Sequence, residues 1–239
     1  MCCTNPVIAQ QKKNNAKNQQ DTIKVDFFNG IRIDVDAAPL LTTFVNGKEK
    51  YSYEAAVQAY IKNKYYPIVE LGYAGADYVT NSEANYKTNG LFGRIGVDVN
   101  LVKSKKNATP TNNLFLAGLR LGYSGFNYSL TNVSIPDEYW GGDNDIHNYN
   151  NLSASKLWFE ASVGIRVELT HNIFMGWTVK YKNLFGKPEV GTLTPWYVPG
   201  FGVNDTGTTW GINYSIGYKL NIGRKPQIAN AQQKSIKKK

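Results

Sequence analysis

Leu157-Trp158-Phe159-Glu160-Ala161-Ser162-Val163-Gly164-Ile165-Arg166-Val167-Glu168-Leu169 is the stretch that decides the fold. Taken two at a time, Leu157, Phe159, Ala161, Val163, Ile165, Val167 and Leu169 carry no polar side-chain atom. The residues between them are Trp158, Glu160, Ser162, Gly164, Arg166 and Glu168. Successive side chains of a strand point to opposite faces, so this is a strand with one oily face and one polar face. Strands of soluble proteins usually run about 5–6 residues. A tilted strand crossing a bilayer needs about 9–11, and this stretch satisfies that length.

The same alternation recurs along the chain. It predicts strands over Gly30–Ala37, Tyr51–Lys62, Tyr66–Tyr78, Leu91–Leu101, Leu114–Tyr128, Ile173–Lys182 and Thr209–Ile222. Glu54, Ala55 and Ala56 are good helix formers, but the period of two in the neighbouring segments favours a strand there. With the opening stretch these make an even set of antiparallel strands. The expected fold is all-β, an eight-stranded antiparallel transmembrane β-barrel over residues 25–222. The connections between strands are Thr42–Lys50, Asn63-Lys64, Thr80–Thr88, the basic turn Lys103–Asn113, Ser129–Ala154, Thr170–Asn172 and Leu184–Thr208. Long and short connections alternate, as in outer-membrane barrels with short periplasmic turns. That places both termini in the periplasm. The turn after the fourth strand is the exception in length.

The competing fold is a soluble lipocalin-like barrel with its oily face inward around a ligand cavity. The polar face argues against it. That face carries Gly72, Gly96, Gly118, Gly122, Gly164, Gly176, Gly211 and Gly217, which weaken a solvated strand but make room inside a narrow barrel. Its charges also balance. The acids are Asp34, Asp36, Glu54, Glu70, Asp98, Glu160 and Glu168; the bases are Arg32, Arg94, Arg120, Arg166, Lys180, Lys182 and Lys219. A solvated face has no need to balance, whereas an enclosed one does, because an unpaired buried charge costs several kcal/mol. These fourteen residues are expected to form an interior charge network. Eight strands leave an interior just filled by side chains, so a salt-bridged plug is favoured over an ion path.

The chain has 239 residues, 13% aromatic, with a net charge of +9. No apolar run approaches the ~18 residues of a transmembrane helix, which leaves a barrel open because its lipid face is hidden in alternation. Residues 1–9, ending Val7-Ile8-Ala9, resemble the small-residue end of a signal peptide. A lipid anchor on Cys2 or Cys3 is the alternative. These adjacent cysteines are the chain's two, so no disulfide framework and no zinc spacing exists. Residues 10–24 are Lys-, Asn- and Gln-rich and are expected to be a disordered arm, and 223–239 a basic periplasmic tail.

The segments Val35-Asp36-Ala37-Ala38-Pro39 and Leu91-Phe92-Gly93-Arg94-Ile95-Gly96-Val97-Asp98 resemble a family of Bacteroidota outer-membrane proteins, DUF6048. Over Gly30–Ile222 the architecture resembles the small barrels that include the OmpA transmembrane domain and OmpX. The resemblance implies an outer-membrane location. It also implies a C-terminal aromatic assembly signal. The chain instead runs on through Gly223-Arg224-Lys225-Pro226, so either the signal is internal, near Tyr218–Ile222, or assembly depends on something else.

No constellation of catalytic residues stands out. His147 and His171 fall at opposite ends of the expected barrel and cannot cooperate. Lipid A-modifying barrels, the enzyme alternative, would have to use His147 with Asp143, Asp145 or Ser153; a polar loop histidine is the plainer reading. Asp143, Asp145 and His147 are also weak metal candidates, without EF-hand spacing. No cofactor motif is present. The lysines cluster at Lys12, Lys13, Lys17 and Lys24; at Lys62 and Lys64; at Lys103, Lys105 and Lys106; and from Arg224 to Lys239. All lie on the expected periplasmic side, where outer-membrane lipid headgroups or an envelope protein would be the partner. Without aromatic interleaving or a reading helix they do not point to nucleic acid. The expected function is a non-enzymatic barrel, structural or accessory to an envelope complex.

Overall fold

The computed structural model describes residues 27–38, 50–62, 64–80, 83–102, 113–135, 145–186 and 194–222. Eight long strands run through them: β1 (Phe28–Asp36), β2 (Lys50–Ile61), β3 (Tyr65–Val79), β4 (Asn85–Asn100), β5 (Leu114–Ile135), β6 (Asp145–Thr170), β7 (Ile173–Leu184) and β10 (Thr208–Leu220). They close into an antiparallel barrel in the order β1-β10-β7-β6-β5-β4-β3-β2. Two short strands, β8 (Tyr197–Val198) and β9 (Gly202–Val203), pair with each other between β7 and β10. Closure of β1 onto β10 leaves neither strand as a sheet edge, with Ile33 opposite Tyr218 and Val35 opposite Ile216.

The second segment, with its helix-forming residues, is strand β2, paired with β1 and β3. The opening stretch is the lower half of β6. Trp158, Glu160 and Arg166 on its polar face are buried. Leu157, Val163, Ile165 and Leu169 on its oily face are 46–54% exposed. The same inversion holds around the wall, where Val57, Leu71, Leu91, Ile95, Leu119 and Ile212 stand in the open. The oily face therefore points outward, and the ligand cup of a lipocalin-like barrel is not formed.

The glycines on the polar face make room for interior side chains. A Cβ on Gly118 would lie 1.9 Å from Asp98 Oδ1, and one on Gly217 would lie 1.9 Å from Asp34 Oδ1. At Gly122 a Cβ would meet the Trp158 ring at 2.2 Å.

Three loop expectations are corrected. The Thr80–Thr88 loop is shorter than expected: β4 begins at Asn85, and Thr80 closes the connection by donating from Oγ1 to Ala84 O at 3.0 Å. Much of Ser129–Ala154 is also strand. Its Asn, Asp, Tyr and Gly content reads as loop, but cross-strand pairing overrides propensity here. β5 and β6 pair up to Ile135 opposite Asp145, with bulges near Leu130 and positive φ at Asn132 and Asn151. Leu130, Leu152 and Ala154 gain partners by packing against the apolar cluster below them. Finally, Leu184–Thr208 is more than a loop. Its described part folds into the barrel mouth at the end where β7 stops and β10 begins, and there Val198 and Phe201 are 0% and 1% exposed.

Candidate functional site: the charged interior and its plug

Inward positions of seven strands converge on one ion-pair network. Arg94 on β4 is its hub. Its guanidinium bridges Glu70 on β3 (Nε to Oε2, 2.8 Å), Glu160 on β6 (Nη1 to Oε1, 3.1 Å) and Glu54 on β2. Arg120 on β5 joins Glu70 (3.1 Å) to Asp98 on β4 (3.0 Å). Both Nε atoms sit at ion-pair distance from Glu70 but off the line of a hydrogen bond. Lys180 on β7 reaches Glu70 at 3.2 Å and Glu54 at 3.4 Å. Arg32 on β1 pairs with Asp34 at 2.8 Å. Arg166 on β6 approaches Asp98 at 3.7 Å.

Four of the expected network residues are held differently. Asp36 accepts from Asn213 Nδ2 at 2.6 Å and from the Ala38 amide at 3.0 Å. Lys182 points up and donates to the backbone carbonyls of Gly200 and Phe201, at 2.7 and 3.0 Å. Lys219 and Glu168 stand half-buried near the end where β1 begins and β10 stops. Lys219 Nζ lies 4.6 Å from the Tyr60 ring centre, and Glu168 Oε1 accepts from the Asn172 amide at 3.2 Å.

Sequence reasoning missed the neutral joints of this network. Gln58 is wholly buried on β2. Its Oε1 accepts from Arg32 at 3.0 Å and from Arg166, and its Nε2 donates to Asp98 Oδ2 at 2.7 Å. It thus ties the Arg32–Asp34 pair to the rest. The signal was its inward register between Ala56 and Tyr60, which a tally of charges passes over. Trp158 is a second neutral joint: its indole N–H donates to Glu160 Oε1 at 2.6 Å.

The plug was missed outright. Trp196–Phe201 packs over the network, with Phe201 against Trp158 at 6.0 Å between ring centres. Gly200 adopts φ +78°, and a Cβ there would strike the Phe92 ring at 2.4 Å. Tyr86 holds the segment from β4: its hydroxyl donates to Tyr197 O at 3.0 Å and accepts from the Tyr197 amide at 3.3 Å. Trp196 stacks on Tyr78 at 5.1 Å, and burial pushes the Tyr197 phenol up to about 12. The apolar, aromatic run Trp196-Tyr197-Val198-Pro199 inside a long connection was the available clue.

The enzyme and metal candidates are not brought together among the described residues. His147 stacks on Tyr149 at 6.2 Å in the projecting β5–β6 hairpin. Ser153, six residues further along an extended strand, is about 20 Å away and bonds Asn127 at 2.9 Å. Asp143 and the Asp145 side chain lie outside the described residues, as do Lys103, Lys105, Lys106 and both terminal segments. Among the described residues no three His, Cys, Asp or Glu side chains are grouped to hold a metal ion. Lys62 and Lys64 occupy the short β2–β3 turn, beside Phe27 and Tyr65 respectively.

The family model "Domain of unknown function (DUF6048)" matches residues 1–225. The chain belongs to the DUF6048 family. No curated protein sequence matches this DUF6048 chain. Among solved structures, Neisserial surface protein A is similar at 11% identity over 82% of this chain and 98% of its own, with a TM-score of 0.38. Ail, the attachment invasion locus protein of Yersinia pestis, solved with the heparin analogue sucrose octasulfate, is similar at 8% identity over 81% and 95%, TM-score 0.38. A major outer membrane protein from Thermus thermophilus is similar at 10% identity over 80% and 99%, TM-score 0.44. The grounds for a function are therefore the DUF6048 chain's own wall and lining.

Proposed function

We propose that this chain is an integral outer-membrane barrel with a filled, salt-bridged interior, serving a structural or accessory role in an envelope complex rather than catalysing a reaction. The carrying observation is the inversion of the wall: charged residues such as Arg94 and Glu160 are buried, while Val57, Leu71, Leu91, Ile95 and Ile212 are exposed. A soluble barrel would hide these from water; a membrane barrel turns them to lipid. The dimensions agree. From Leu157 to Leu169 the oily face of β6 spans about 40 Å of strand, which at the usual 35–45° tilt projects to about 30 Å, the thickness of a hydrocarbon core. Exposed aromatics sit toward both ends of the wall, Tyr53, Tyr123 and Trp210 at one, Tyr65, Phe115 and Tyr218 at the other, as interfacial girdles do.

In the orientation supported by the short β2–β3 and β6–β7 turns, the termini face the periplasm and the plug and tall hairpin face outward. Lys62 and Lys64 then meet the periplasmic headgroups, or an acidic envelope partner. The interior favours a scaffold over a pore, because the ion-pair network and the plug together occupy the lumen. Membrane fractionation with a heat-shift gel tests the reading. The expected result is recovery in the outer-membrane fraction, with faster mobility before boiling than after, and no steady conductance in planar bilayers. Recovery as a soluble protein without heat-modifiable mobility overturns it.

A further inference from the structure

A groove of about 500 Å³ crosses the outer wall from β4 to β10, a volume in the ~300–1,000 Å³ class of ligand sites. Its floor is Ala117 on β5 and Ala161 on β6. They are diagonal neighbours, since Ala161 pairs with Leu119 and Ala117 pairs with Val163. The outward positions around them are Phe115, Leu119 and Leu121 on β5 and Phe159, Val163 and Ile165 on β6. Two methyl groups thus lie where the surrounding wall carries rings and branched chains, and the wall is indented there. Val97 and Trp210 mark the two ends, and the lining is almost entirely carbon.

We infer that this groove holds a single acyl chain of a bilayer phospholipid, an inference that rests on the membrane reading above. The dimensions select the occupant. Four inter-strand steps give a length of about 19 Å, and two outward residues on each of β4, β5, β6 and β7, two positions apart, give a width of about 7 Å. A helix with its side chains is about 10–12 Å across and too wide to enter. A spanning segment must also cover about 30 Å of hydrocarbon, more than the groove's length. A second barrel presents a convex wall, which cannot reach a floor formed by Ala117 and Ala161 below Leu119 and Tyr181. An unbranched acyl chain is slim enough to lie along the floor, and it contacts carbon throughout.

The test reconstitutes the full chain into phosphatidylethanolamine–phosphatidylglycerol vesicles doped with phosphatidylethanolamine carrying a diazirine on one acyl chain. Adducts are mapped by mass spectrometry after irradiation. Adducts several-fold denser at Ala117, Ala161, Val163 and Tyr181 than at Val57 and Leu71 across the barrel are expected. Ala161→Phe, or Ala117→Leu should the first fail to fold, is expected to remove that excess. Ala59→Phe, an outward position on β2 away from the groove, is expected to keep it. Even labelling around the wall of a barrel that shows heat-modifiable mobility means bulk lipid only and overturns the groove while leaving the membrane reading intact. A chain that neither enters the vesicles nor acquires adducts overturns the membrane reading, and the groove with it.

Discussion

Arg94 touches three carboxylates that lie 40, 24 and 66 residues away in sequence, Glu54, Glu70 and Glu160. Replacing it with Met removes the cation paired with Glu160 and one of the cations paired with Glu54 and Glu70. Breaking a buried pair costs about 3–5 kcal/mol, so Arg94→Met is expected to lower unfolding free energy in vesicles by that order, read from urea titration. Arg166 lies in the stretch that decides the fold and is also buried. Its contacts are weaker: Gln58, and Asp98 at 3.7 Å. Arg166→Leu is therefore expected to cost measurably less than Arg94→Met in the same titration; an equal or larger loss would contradict the hierarchy drawn from these contacts. Which residues face inward was legible, because a period of two leaves no choice of face. Who pairs with whom was not, because partners are set by the stagger between strands, which no local pattern encodes. Glycine positions show the same division. That Gly217 needed to be small was readable from its face, but that it makes room for Asp34 was not. Gly217→Val is expected to impair assembly, seen as loss of heat-modifiable mobility, whereas Gly125→Ala, whose added Cβ meets nothing within 4 Å, is expected to leave it unchanged.

At the scale of elements, barrel strands announced themselves and the plug did not. A strand lodged between two others repeats its pattern every two residues, whereas a segment folded into a mouth by Tyr86, Lys182 and Trp158 has no period to read. Its attachment gives two expectations. Lys182→Met leaves the carbonyls of Gly200 and Phe201 without their donor, at about 1–3 kcal/mol for each buried group. The cost falls on the plug, so protease cleavage between Trp196 and Gly207 is expected to accelerate while the melting of the barrel barely moves. Equal loss at both would mean that plug and wall unfold as one unit. Alkali is the second handle. Folding raises the Tyr197 phenol from its ordinary value of about 10 to about 12. The neutral form is favoured in the folded state, so the stabilisation is complete below pH ~10 and is lost as pH rises from ~10 to ~12. Cleavage of the plug is expected to increase over that window in the wild type and to depend more weakly on pH in Tyr197→Phe, where the Tyr86 hydroxyl still donates to the backbone carbonyl of residue 197.

As a whole, the molecule is built inside out, with charge within and carbon without. The two cysteines of the sequence are Cys2 and Cys3, so after their replacement by Ser the chain accepts single cysteine labels at will. Spin labels placed one at a time from Leu157 to Leu169 in vesicle-embedded protein, with collision rates measured against oxygen and against a water-soluble nickel chelate, report what each side chain faces. Odd-numbered positions are expected to collide strongly with oxygen and weakly with the nickel chelate, with oxygen access highest near Val163; even-numbered positions are expected to collide weakly with both. If odd-numbered positions collide freely with the nickel chelate, the oily face meets water or another protein surface, and the membrane barrel is wrong.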